Sequence, residues 1–147
     1  MKTLRPLRRL FALSASSVML ASGFIACGSD SPTQSSPVAG SYVATVFRVT
    51  PAGQPLIDVL AQGGTLSITI ASDNSTTGTL SLPASVAGSP LSVSMAGTAV
   101  VSGSTVKFQQ AGDTFVRDLT FTIAGNTLTA INQSAGGATF TITLTKQ

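Results

Sequence analysis

From residue 65 onward apolar and hydroxyl side chains alternate with a period of two, and this pattern restricts the chain to β-structure. The last run shows it most cleanly: Phe140, Ile142 and Leu144 alternate with Thr139, Thr141, Thr143 and Thr145. Successive side chains of a strand point to opposite faces, so such a segment has one apolar face to bury and one hydroxyl face to leave in water. Leu66, Ile68 and Ile70 against Thr65, Ser67 and Thr69 repeat the arrangement.

Gly, Asn, Asp and Pro punctuate the pattern into strands at 41–49, 65–71, 76–82, 91–101, 105–109, 114–124, 127–131 and 138–146. Pro51 and Pro55 end the first, since neither can donate to a ladder. Residues 56–62 then suit a short helical turn closed by Gly63-Gly64. Asp73-Asn74-Ser75, Gly103-Ser104 and Gly125-Asn126 read as tight turns, 84–90 as a longer loop, and 134–137 as the last turn.

Hairpin succession favours an all-β, eight-stranded antiparallel up-and-down barrel, whose interior side chains fill or which holds one small ligand. An immunoglobulin-like β-sandwich is the alternative, with the longer links at 51–64 and 84–90 supplying Greek-key connections. A transmembrane barrel would invert the faces. One Tyr and no Trp leave it without aromatic girdles.

Residues 1–9 carry Lys2, Arg5, Arg8 and Arg9 with no acid, and 10–26 are apolar but broken by Ser14, Ser16, Ser17 and Ser22. This is the layout of a cleaved export signal rather than a spanning helix. The apolar run ends in Phe24-Ile25-Ala26-Cys27, and Cys27 is the only cysteine. The stretch resembles the lipobox of bacterial lipoproteins. That resemblance implies a diacylglyceryl group on the Cys27 thiol, cleavage before it and acylation of the new terminus, giving a membrane anchor that does not detach. Gly28, where the family's inner-membrane members carry Asp, implies the outer membrane as the location within the cell envelope. The alternative is an ordinary secreted protein with a stray cysteine. The organisation expected is therefore a lipoprotein signal peptide at 1–26, a lipidated cysteine and flexible Ser/Thr/Pro tether at 27–37, and a β-barrel domain at 38–147.

The formal charge of +3 belongs to the signal. Beyond Cys27 there are four basic residues, Arg48, Lys107, Arg117 and Lys146, against five acids, Asp30, Asp58, Asp73, Asp113 and Asp118, a net of −1. Such a surface does not hold nucleic acid. The same stretch has no His, Glu or Trp, which removes the usual material for catalysis and for metal sites. No enzyme, cofactor or metal is expected. Asp113 and Asp118 have opposite parity and cannot share a proton on one strand, and the hydroxyls have no evident general base.

Over 38–147 the chain resembles the lipocalin-like, or calycin, barrels. Gly40-Ser41-Tyr42 stands where that family has Gly-x-Trp, with Tyr42 in the tryptophan's place; Lys146 stands where an arginine packs on it; the turn at 56–62 sits where the family places a helical lid. The resemblance implies a small apolar or amphiphilic ligand inside the barrel of a monomer. Phe108, Phe115, Phe121 and Phe140 are the candidate lining residues. Arg117 shares their parity on an expected strand at 114–124, so it either faces an anionic ligand group or reaches water at the rim beside Asp113. The competing function is a structural or interaction lipoprotein with a solidly packed core.

Overall fold

The computed structural model describes residues 36–112 and 114–147. The expected lipobox at Cys27 and nearly all of the expected tether lie outside them, as does Asp113. Ten strands follow in chain order: β1 (Gly40–Pro51), β2 (Ile57–Asp58), β3 (Thr65–Ile70), β4 (Ser75–Leu82), β5 (Leu91–Ser94), β6 (Gly97–Ser102), β7 (Thr105–Gln110), β8 (Phe121–Ala124), β9 (Thr127–Ala135) and β10 (Ala138–Lys146). Among the described residues two short helices interrupt them, α1 (Ala84–Ala87) and a one-turn 3-10 helix (Phe115–Asp118).

Every pairing is antiparallel, and β10 returns to pair with β1 from Tyr42↔Lys146 to Pro51↔Ala138. This seam closes an eight-stranded barrel and leaves no sandwich edge. β5 and β6 run along β4 in one register, Thr79↔Ser94 continuing to Thr76↔Gly97, so the single strand expected at 91–101 is one strand broken at Met95-Ala96. β2 is a two-residue addition to β1, pairing Val49↔Ile57.

The apolar faces point inward. Phe47, Leu66, Ile68, Ile70, Leu80, Met95, Phe108, Phe121, Leu128, Ile142 and Leu144 are all within 2% of full burial. Each such side chain contributes roughly 1.5–3 kcal/mol when removed from water. Threonines take the outer face, Thr143↔Thr129 and Thr129↔Thr122 lying in register across β10, β9 and β8. This is the reverse of a lipid-facing barrel.

The turns follow their residues. Gly103-Ser104 joins Ser102↔Thr105 and Gly125-Asn126 joins Ala124↔Thr127. Asn74 takes φ 66°, a left-handed conformation Asn tolerates. Within 56–62, only β2 and turns form, but the closure is helical in kind: the Gly64 N–H donates to the Val59 carbonyl and the Gly63 N–H to that of Leu60. These are the two bonds of a Schellman motif, with Gly63 at φ +86°.

The strand expected at 114–124 is a correction. Its first half is the 3-10 helix, and only Phe121–Ala124 is strand. Phe115, Arg117, Leu119 and Phe121 suggest a period of two, but Val116 and Leu119, both 0% exposed, sit three residues apart. In a 3-10 helix such positions eclipse, so burying both selects the helical turn. Ser36 and Val38 are buried, and the Ser36 N–H donates to the Ser72 carbonyl. Among the described residues, the strand pairings and the buried apolar side chains form one core.

Candidate functional site

An apolar pocket of about 200 Å³ opens at the end of the barrel where β1 finishes and β10 begins. The chain enters the barrel at the opposite end, at Ser36 and the start of β1. Two walls are cross-strand pairs of the closing seam, Val49↔Phe140 and Pro51↔Ala138, with Phe47 one step deeper on β1. Directly opposed residues of an antiparallel pair share a face, which sends all five side chains inward. Leu82 at the end of β4 forms a third wall.

The cover comes from irregular segments. Val59 belongs to the turn after β2, Val86 to α1, and Phe115 to the 3-10 helix. The Phe115 ring stacks on Phe140, centroids 4.1 Å apart and planes 5° apart, and stands 6.0 Å from Phe47. Phe115 is half-buried between the fully buried Val116 and the interior.

Two inward-facing glutamines hold the segment that carries Phe115. On β7 the Gln110 Oε1 accepts from the Thr114 hydroxyl at 3.3 Å, before the helix. On β9 the Gln133 amide meets the backbone after it: its Oε1 accepts from the Thr120 N–H at 2.7 Å, and its Nε2 donates to the Thr120 carbonyl. Gln133 thus takes the place of a strand neighbour where the β8–β9 ladder stops at Thr122↔Thr129. A bulge in β9 aims it there. The register shifts between Ile142↔Ala130 and Phe140↔Gln133, Asn132 takes φ 51°, and the Thr141 hydroxyl is hydrogen-bonded to the Asn132 backbone N–H and side-chain carbonyl.

The expected lining residues separate. Phe115 and Phe140 line the pocket. Phe108 and Phe121 do not: they pack edge-to-face at 5.3 Å, 1% and 0% exposed, as part of the filled interior. Arg117 is exposed and lies outside the pocket wall, because the 3-10 turn breaks the parity that would have carried it inward with Phe115. Phe47, Val49 and Leu82 were not singled out in the sequence, and nothing in their periodicity separates a pocket wall from packed interior.

Among the described residues, no three His, Cys, Asp or Glu side chains come together as a metal site. The pocket wall is Phe, Val, Leu, Pro and Ala, with no side chain that gives or takes a proton. What this arrangement can do is exclude water from an apolar group. The chain matches no protein-family model, no curated protein and no solved structure.

Proposed function

We propose that this is a lipid-anchored protein of the bacterial cell envelope, lipocalin-like in kind, that holds a small apolar ligand at the open end of its barrel. The observation that carries the binding reading is the pocket itself: a concave, predominantly apolar wall at one end of a closed barrel, the usual place for a ligand in such folds. The charged start, apolar run and lone Cys27 support the anchor, and Gly28 supports the outer membrane. Binding rather than catalysis is favoured by a wall without acid, base or nucleophile.

Two experiments test the reading. Labelled palmitate should enter the full chain in a bacterial host, and Cys27→Ser should leave an uncleaved, unlabelled precursor. Absence of label from the wild type refutes the anchor. Saturable binding of apolar probes to the chain from Gly28 onward, lost on filling the pocket with Val86→Phe, is the expected result for the ligand.

A second reading has its own support. Below the pocket the interior is packed shut by Phe108, Phe121, Met95 and Leu80, all within 1% of full burial, as a purely structural or interaction lipoprotein would require. Failure of every probe to bind selects it.

A further inference from the structure

We infer that the pocket selects an uncharged group about the size of one aromatic ring, and that Phe115 sets the size limit; this rests on the ligand-binding reading above. The polarity follows from the walls. Phe47, Val49, Leu82, Val86, Phe115 and Phe140 bring only carbon side chains to it. A carboxylate drawn among them would lose its hydration and find neither a counter-charge nor a side-chain donor, a cost that disfavours it. Arg117 does not relieve this, since it is exposed on the 3-10 helix that turns Phe115 to the pocket.

The size follows from the volume. An apolar cavity of ~150 Å³ in a protein core accepts benzene and stays dry when empty. A pocket of about 200 Å³ therefore encloses a single ring with a small substituent, and cannot enclose two fused rings or a long chain. At the lip, Leu91 pairs directly with the wall residue Leu82 and shares its face, yet is 43% exposed. A small uncharged substituent on the ring lies along this apolar edge.

Phe115 is the wall that can change without undoing the others. The remaining aromatic walls, Phe47 and Phe140, are on ladder-paired strands at the closing seam. Phe115 rides on a single helical turn, and that turn is anchored by Val116 and Leu119 below it and by Gln110 and Gln133 at its two ends. Removing the Phe115 ring takes away its stack on Phe140 and leaves those anchors in place.

The test uses the chain from Gly28 onward, which contains the entire ladder and core. Toluene, naphthalene, phenylacetate and a long-chain fatty acid are titrated in turn, with binding read from methyl resonances of the pocket Val and Leu residues. Toluene should saturate the site, and naphthalene and phenylacetate should each bind about a hundredfold more weakly or not at all. Phe115→Ala should raise naphthalene affinity by about tenfold or more while weakening toluene, with Phe115→Leu as the milder variant should Ala impair folding. Val86→Phe should abolish binding of both rings. Phenylacetate or the fatty acid binding as tightly as toluene overturns the polarity assignment, and an unchanged size preference in both Phe115 variants overturns the role of Phe115. Wild-type protein that binds the fatty acid but no neutral ring defeats this inference alone; wild-type protein that binds none of the four defeats the ligand-binding reading as well.

Discussion

Tyr42 of β1 stands directly opposite Lys146 of β10, the pair that ends the seam closing the barrel. The Tyr42 ring is 3% exposed and its hydroxyl donates to the Val38 carbonyl at 2.9 Å, tying the entering chain to the barrel floor. The Lys146 stem lies over Gly40, where a Cβ would collide with it. The fold brings these two residues together from opposite ends of the domain.

Replacing Tyr42 with Phe removes the hydroxyl and leaves the Val38 carbonyl without that donor, at an expected loss of about 1–2 kcal/mol in urea unfolding. Burial pushes the Tyr42 phenol above its ordinary value of 10.0. A raised value means stability that is intact below the ordinary phenol range and is lost as pH climbs through the raised one. Tyr42 is the only tyrosine, so phenolate absorbance reports it alone, and Tyr42→Phe should flatten the alkaline loss of stability.

Gln133→Ala deletes both hydrogen bonds to the Thr120 backbone and should cost about 1–3 kcal/mol. Gln133→Glu keeps the shape but, when ionised, sets a carboxylate against the Thr120 carbonyl. Its folded pKa should rise above ~4.3, so the variant should be most stable in acid and lose stability as pH rises through that value. Denaturant midpoints across pH measure this, and a flat difference from wild type would show that the amide does not tie the Thr120 backbone to β9.

Gly78→Ala should be severe. Gly78 adopts φ +136°, a conformation L residues rarely take, and a Cβ there would run into the Ser67 carbonyl of the neighbouring β3. A loss of roughly 1–3 kcal/mol is the floor for the strain alone, before any displacement of the strand. Thermal unfolding of the variant measures the total.

The exposed turn at Asp73 gives a small acid-side effect. The Ser75 hydroxyl and N–H donate to Asp73 Oδ1 at 2.7 and 2.9 Å, holding the carboxyl below its ordinary value of 3.8. The associated stability is present above the ordinary carboxylate value and fades as pH falls through the lowered one. Ser75→Ala should move the Asp73 titration, followed by carboxyl carbon resonance, back toward the ordinary value.

Period-two alternation over 65–82 and 138–146, with glycine and asparagine at the turns, was enough to determine those strands, their apolar faces and their hairpin order, while barrel rather than sandwich was decided by the seam between β1 and β10. Strands, faces and hairpin order are local: each depends on residues within a few positions of one another, and burial of one face per strand decides them. At 114–120 the same reading fails, because alternate and every-third apolar residues coincide there, and only the space between β7 and β9 determines that Val116 and Leu119 are buried together. The pocket is likewise a property of the assembled barrel. Phe108 and Phe140 are indistinguishable along the chain; the first is enclosed by neighbouring strands and the second borders a space that Val59, Val86 and Phe115 only partly cover. Which inward side chain meets a neighbour and which meets a gap depends on residues brought together from distant parts of the chain, and that was decided by the tertiary structure alone.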